Sequence, residues 1–460
     1  MPARNNRMKK ILIAALISIL TIEYAYAEGK SDYEEALAWR NFVTSETRPV
    51  IGIAFGGGGA RGMAHIGVLR SLLKSGIPIE RVTGTSIGAF IGSLYSSGAS
   101  IDSIEELALS TNWSNLIELK TSRISIFSTR RLEEFIEFHL QRLRRNSYDS
   151  NIIFETAVNY PKLNSSEIQF ADLKIPFACA ATELYSGSII LFDSGSVANA
   201  VRASCSIPGL FEPVQTDHQL LIDGGVLMNL PVSLCRKIGA ENVIAVDVES
   251  DTTEKLSGLM DILSQIIKIQ GYALTENERK LANAVIEPSV GAIKITELER
   301  ADEAVRRGEI AGAAAAKKIR RNLLELNEDT EFFQITADDI SGIENVIKQL
   351  RTQRNAGSIL KTSELTSALA LSSKLGLDRE ALALYRTAQP SDTLSLFSAE
   401  LSSIRLKLSD QADTILQSLS AKQLPENYWW ELAAAAVIAN QNKIEEKILN
   451  RIKERRLDAD

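Results

Sequence analysis

Over the first 325 or so residues, short apolar runs alternate with longer stretches of helical periodicity, and the first two runs end at glycine. Val50-Ile51-Gly52-Ile53-Ala54-Phe55 runs into Gly56-Gly57-Gly58-Gly59. That pattern predicts a buried strand ending at a glycine turn. Residues 60–75 have helical spacing, and Gly76 stops it. Arg81-Val82-Thr83 is a second short strand, ending at Gly84-Thr85-Ser86-Ile87-Gly88, and a helix follows over 89–97. Two successive strand–turn–helix units predict an α/β fold with a parallel sheet and right-handed crossovers. Further strands are expected at 177–182, 188–192, 219–222 and 243–248, with mainly helical, charged sequence at 101–154 and helices near 257–284 and 300–326.

After Leu326 the texture changes. Residues 327–355 are polar and mixed, whereas about 360–457 are rich in Ala, Leu, Ser and charge with helical spacing. Pro390 and Pro425 divide that stretch into about three helical pieces. No repeat of fixed period is evident. The expected organisation is a leader at 1–27, an extension at 28–48 with an amphipathic piece at 33–42, an α/β domain at 49–326, a linker at 327–359 and an all-helical accessory domain at 360–460.

The leader is read from its pattern. Arg4, Arg7, Lys9 and Lys10 precede an apolar run at 11–22, and Ala25-Tyr26-Ala27 follows. Basic, apolar, then small-x-small is the pattern of a secretory signal peptide, and about 12 apolar residues is short for an uncleaved anchor. Glu28 follows the expected cut, where lipoprotein processing would want Cys. The mature chain is expected to be periplasmic or secreted. No internal stretch reaches the roughly 18 apolar residues of a membrane span. Lys+Arg 51 against Asp+Glu 58 gives a net charge of −7, which argues against an electrostatic nucleic-acid binder. The three cysteines, Cys179, Cys205 and Cys235, sit among small or apolar neighbours without metal spacing, so buried thiols are expected.

Gly84-Thr85-Ser86-Ile87-Gly88 is a G-x-S-x-G. Between a strand and a helix it makes a nucleophile elbow, with glycines giving room for the turn and Ser86 at a helix N-terminus. Gly57-Gly58-Gly59-Ala60-Arg61-Gly62 exposes backbone N–H groups that suit an anion. The next strand lacks the acid a dinucleotide fold wants, and there is no Gly-Lys-Ser/Thr. Beside a nucleophilic serine, an oxyanion hole fits better than a phosphate cradle. A base is harder to choose. His65 follows the glycine loop and His139 lies among Phe135, Phe138 and Leu140, and both read more simply as structural; His218 is in a polar turn next to a strand, and none of the three has a flanking motif. Asp223 ends the apolar strand Leu220-Leu221-Ile222 and is followed by Gly224-Gly225. It is a strand-end active-site carboxylate or a plain Asp-Gly turn.

Together these pieces resemble the patatin-like phospholipases. The family's glycine loop ending in Arg-Gly is similar to Gly57–Gly62, its G-x-S-x-G to Gly84–Gly88 and its Asp-Gly-Gly/Ala to Asp223-Gly224-Gly225. Residues 201–211 (VRASCSIPGLF) and Asn229-Leu230-Pro231 resemble the bacterial branch. Gly56 stands where many members carry Asp. The resemblance covers about 49–322 and implies a three-layer α/β/α domain with a mostly parallel sheet. It implies a Ser86–Asp223 dyad without histidine, an oxyanion hole over Gly57, Gly58, Gly59, Ala60, Arg61 and Gly62, supporting glycines at Gly84, Gly88, Gly224 and Gly225, and no metal or cofactor. The substrate implied is a phospholipid, lysophospholipid or other lipid ester at a membrane or micelle surface. Two alternatives stand beside it: a protein partner docked by the helical region, and an esterase for other acyl compounds. Arg61 is expected to orient its loop, Arg142, Arg144 and Arg145 to form a solvated helix face, and Trp429-Trp430 to pack in a core.

Overall fold

In the computed structural model of the chain, the residues described are 29–116, 118–119, 127–144, 166–216, 218–249, 259–324, 369–388 apart from 371, and 392–457 apart from 421, 423 and 425. The leader expected at 1–27, the linker expected at 327–359 and Arg145 lie outside them. The chain divides into two units. One takes its residues from 47–73 and 78–319, the other from 1–46, 74–77 and 320–460.

The first unit is built on an eight-stranded sheet. Strand β1 (Ile51–Phe55) is buried at all five positions, as a central parallel strand covered on both faces must be. Helix α1 (Ala64–Lys74) leads to β2 (Arg81–Gly84), and α2 (Ile87–Ser96) follows. Strands β3 (Phe177–Glu183) and β4 (Ser188–Phe192) form a hairpin, then helix α3 (Val197–Ser204), β5 (Val214–Gln215) and β6 (Leu220–Asp223). Helix α4 (Val232–Lys237), β7 (Asn242–Val246), helix α5 (Leu259–Leu281) and β8 (Ala284–Ile286) complete the sheet and its cover. The order is β8-β7-β1-β2-β3-β6-β5, with β4 also paired to β3. The run from β8 to β3 is parallel, and β4, β5 and β6 pair antiparallel.

Three layers follow from strand alternation. Ala54 packs with Leu230, Val232 and Cys235 at α4, while its neighbour Phe55 meets His65 of α1 at 4.8 Å between ring centroids. Adjacent strand residues point to opposite faces, so α1 and α4 cover opposite sides. The mostly parallel sheet expected from sequence is what forms. Within 101–154, expected to be mainly helical, a two-stranded antiparallel ladder pairs Glu118–Leu119 with Phe127–Ser128 ahead of the helix Arg130–Arg144.

The second unit is helical. Leu396, Phe397, Ile404, Ile415, Leu419, Trp429, Leu432 and Ile448 share one core. Trp429 is fully buried, as core packing predicts. The stretch breaks more often than its prolines indicate. Thr393–Arg405 and Ser409–Ser420 are separated at Lys407, and Glu426–Ile438 and Asn442–Leu457 at Asn440, both with φ of 57°. A left-handed residue ends a helix without proline. The helix Gly29–Thr44 belongs to this unit and packs on Glu426–Ile438. Its Tyr33 hydroxyl donates to Glu445 at 2.8 Å, and Arg40 pairs with the same carboxylate at 3.0 Å.

Candidate active site

Ser86 is the residue on which β2 turns into α2. It caps that helix with φ 55° and ψ −124°, a left-handed backbone that a serine adopts only under constraint. The constraint is crowding. A methyl on Gly84 would lie 2.3 Å from the Gly88 carbonyl oxygen, and one on Gly88 would lie 2.5 Å from that of Phe55. The Ser86 N–H donates to Ser204 Oγ of α3 at 2.9 Å, and Thr85 Oγ1 donates to the Met228 carbonyl at 2.8 Å. The turn is therefore held from two sides, and Ser86 is 7% exposed.

Sheet register brings Asp223 to it. Gly84 pairs with Cys179, and Ala181, two residues further along β3, pairs with Asp223. Ser86 is two residues beyond Gly84, so the antiparallel β6 delivers its last residue to the level of the elbow. Asp223 Oδ1 accepts from the Gly225 N–H at 2.7 Å. Gly224 fits tightly behind it, since a methyl there would lie 2.3 Å from the Ala180 carbonyl oxygen. Burial is the main influence on the carboxyl and pushes its pKa from 3.8 up to about 6; the Gly225 amide and the Ser86 hydroxyl oppose it by favouring the charged form. The Ser86 hydroxyl is near enough to the carboxyl to favour its charged form.

The glycine loop borders the same place. A methyl on Gly57 would lie 3.4 Å from Ser86 Cβ, and one on Gly62 only 2.0 Å from Ile87 Cγ2. Not every amide of the loop is available. Gly57 N–H donates to the Asn229 carbonyl at 3.1 Å, Ala60 N–H to the Ile295 carbonyl at 2.9 Å and Arg61 N–H to the Gly58 carbonyl at 3.3 Å. Of the amides over Gly57 to Gly62 that were expected to face an oxyanion, those of Gly57, Ala60 and Arg61 are thus already committed. Among the described residues Gly58 and Gly59 keep uncommitted amides, and Ile87, first residue of α2, has one by its place in the helix.

A family model, Patatin-like phospholipase, matches residues 53–236. Those residues are a patatin-like phospholipase domain. Lysophospholipase NTE1 of Debaryomyces hansenii is 31% identical over 255 residues, which is 53% of this chain and 15% of the relative. Patatin-like phospholipase domain-containing protein 6 of Homo sapiens is 33% identical over 222 residues, 47% of this chain and 15% of the relative. The chain therefore spans about 15% of the length of these curated relatives. Among solved structures, VipD from Legionella pneumophila is 12% identical and aligns over 88% of this chain and 92% of its own, with a TM-score of 0.42.

Around the patatin-like site, the other candidates settle into supporting positions. His65 is fully buried, its Nε2 donates to the Gly56 carbonyl at 2.7 Å, and burial pushes its pKa down to about 4. It is a neutral imidazole holding the entry to the glycine loop. His139 is also pushed down to about 4, chiefly by burial, between Phe135 and Phe138. Arg61 Nε donates to the Ile293 carbonyl at 2.8 Å, which orients the loop as expected. Arg142, expected on a solvated face, is instead buried at 8% exposure, with its guanidinium 5.6 Å from the centre of the Phe138 ring; Arg144 remains half exposed near Asp172. Cys179, Cys205 and Cys235 are free and buried, and burial raises each thiol's pKa.

Asn229 is the supporting residue that pattern reading left without a role. Its carbonyl takes the Gly57 N–H, and its side-chain amide donates to Glu249 at 3.3 Å and, more weakly, toward the Gly57 carbonyl at 3.5 Å. Its Oδ1 crowds the Cα positions of both Gly57 and Gly225, so one side chain spaces the glycine loop from the Asp223 turn. The motif Asn229-Leu230-Pro231 was the available signal.

Proposed function

We propose that this chain hydrolyses the carboxylic ester of a phospholipid or lysophospholipid through Ser86 and Asp223. The observation that carries the reading is a strained, positive-φ serine beside a buried carboxyl with a pKa near 6. An ordinary aspartate is too weak a base for a serine hydroxyl; burial brings it closer to the operating pH while leaving it ionised at neutrality. Ser86 Oγ attacks the ester carbonyl carbon and its proton passes to Asp223. The amides of Gly58, Gly59 and Ile87 meet the developing oxyanion. Collapse breaks the ester C–O bond, and the leaving alcohol takes the proton from Asp223. Water then attacks the acyl-serine, giving its proton to Asp223, and the second collapse returns that proton to Ser86 and releases the fatty acid.

The relatives' names, a lysophospholipase and a patatin-like phospholipase, favour a phospholipid ester over a neutral glyceride or thioester, which the same pair would accept. Export belongs to the proposal on the pattern of residues 4–27. A fluorophosphonate probe followed by peptide mass spectrometry tests the nucleophile. The expected result is one adduct, on Ser86, absent from Ser86→Ala, with turnover in that variant reduced by about 10³-fold or more. Turnover within about tenfold of wild type in Ser86→Ala would remove the proposal.

A further inference from the structure

Helix α5 is anchored to the patatin-like unit along one side. The Ser233 N–H and hydroxyl donate to Glu278 at 2.6 and 2.7 Å, Arg279 pairs with Asp247 at 2.6 Å, and Gly271 is buried, where a methyl would lie 3.8 Å from the Gly225 carbonyl oxygen of the turn that follows Asp223. Its other side carries an uncovered apolar stripe. Ile262, Ile266 and Ile269 are 44%, 53% and 68% exposed, and Tyr272 is 58% exposed. The isoleucines fall at i, i+4 and i+7, which is one line along a helix. Exposed apolar residues scattered singly are ordinary, but three aligned beside a site are not.

We infer that this stripe is an interfacial docking surface for a phospholipid bilayer. The inference rests on the lipid-ester reading above and names the surface that brings the substrate to that site. Charge favours a lipid occupant. The chain carries a net −7, yet from Ile262 to Thr275 the sequence has no carboxylate and a single cation, Lys268. Between Asp261 and Glu276, which bound this span, Lys268 is the one charge, and Lys268 and Tyr272 are the side-chain types that flank an apolar face at a headgroup boundary. Area disfavours a second protein chain. Three isoleucines and one ring present on the order of a few hundred Å², short of the roughly 800 Å² per partner in a stable protein interface. Among the described residues no helix is long and apolar enough to cross a membrane, so α5 lies on the bilayer and not through it. The inner side of the same helix touches the turn Gly224–Val226 that follows Asp223. Docking there sets the bilayer next to the reacting groups.

The test compares the full chain with Ile262→Gln/Ile266→Gln/Ile269→Gln, using phosphatidylcholine vesicles doped with phosphatidylglycerol and a soluble short-chain nitrophenyl ester. Vesicle co-sedimentation and hydrolysis of vesicle phospholipid are each expected to fall by at least about tenfold in the triple variant. Its rate on the soluble ester is expected to stay within about twofold of wild type. Unchanged co-sedimentation would overturn the inference. So would a wild type that hydrolyses the soluble ester yet leaves vesicles unbound, or a wild-type dimer in sedimentation velocity that the triple variant abolishes. Wild-type vesicle binding lost in the triple variant, with no hydrolysis of either substrate by wild type, would support the docking surface and strike the hydrolase reading alone. If the triple variant fails to fold, Ile266→Trp decides: partition at least equal to wild type supports the surface, and partition reduced about tenfold overturns it.

Discussion

Asp223→Asn separates what the carboxyl does for chemistry from what its burial costs the fold. The side chain is 6% exposed, and burial moves its pKa from 3.8 to about 6. In the unfolded chain the same group titrates near its ordinary value. A folded-state pKa above the unfolded one means that the native state holds the proton more tightly. The contribution to stability is therefore complete below about pH 4 and is lost as pH rises through about 6. At 1.36 kcal/mol per pKa unit, ionised Asp223 costs the native state about 3 kcal/mol at pH 8. Asparagine has nearly the same shape, can accept the Gly225 N–H through its own Oδ1, and has no proton to lose. Wild type and Asp223→Asn are expected to be equally stable near pH 4, with the variant ahead by about 3 kcal/mol at pH 8. Hydrogen exchange at the β2 and β6 amides, followed by mass spectrometry, reads this locally in a chain of two units. Because the comparison is a difference, the titrations of His65 and His139 cancel. Turnover is expected to be lost in the variant, and in wild type kcat/KM on a soluble ester is expected to fall about tenfold per pH unit below about pH 6. A stability gap that does not change between pH 4 and 8, or a wild-type rate flat down to pH 4.5, would refute a desolvated Asp223 base.

The elbow and the proposed leader give two shorter predictions. Ser86 holds φ 55°, a conformation that penalises any Cβ, so Ser86→Ala and Ser86→Gly should both be inactive while the glycine variant is more stable by about 1–2 kcal/mol; equal exchange protection in the two would show that the turn stores no strain. Expressed with residues 1–27 in place, the recovered protein is expected to begin at Glu28, and an intact mass that still includes Met1 would remove the export proposal.

The elements that sequence revealed were those set by local chemistry. β1 is apolar at nearly every position and ends at glycine, and both signals are written in consecutive residues. The elbow was legible because the need for Gly84 comes from within the same turn, where a methyl would meet the Gly88 carbonyl; the need for Gly88 comes from the end of β1, at Phe55, and only the motif marked it. What could not be read was set by partners distant in sequence. The commitment of Gly57's amide depends on Asn229, 172 residues away, and that of Ala60's amide on Ile295. A glycine string advertises free N–H groups without saying which the fold will use. Arg142 looked like part of a charged helix face because its neighbours are charged; its burial beside Phe138 depends on how the helix Arg130–Arg144 packs. The breaks at Lys407 and Asn440 carry no proline or glycine, and only backbone conformation marks them.

The same long-range contacts bear on why a histidine is dispensable in the proposed reaction. His65 lies nine residues from Gly56 and near the glycine loop, so proximity in sequence makes it the natural rival to Asp223. Its Nε2 proton is already donated to a carbonyl, and burial keeps the ring neutral down to about pH 4. To act as a base it would have to turn, leave Gly56 unheld and accept a charge in a site that disfavours one. Asp223 faces the opposite situation. Its charge is disfavoured by the same burial, but protonation relieves that cost, so desolvation raises its affinity for the proton Ser86 must lose. The Gly225 amide stays bonded to it and opposes the rise, which keeps the pKa near 6 and the group ionised at neutral pH. Burial therefore weakens the histidine as a base and strengthens the aspartate, and the glycine loop uses the imidazole as a support for the backbone that the oxyanion would meet.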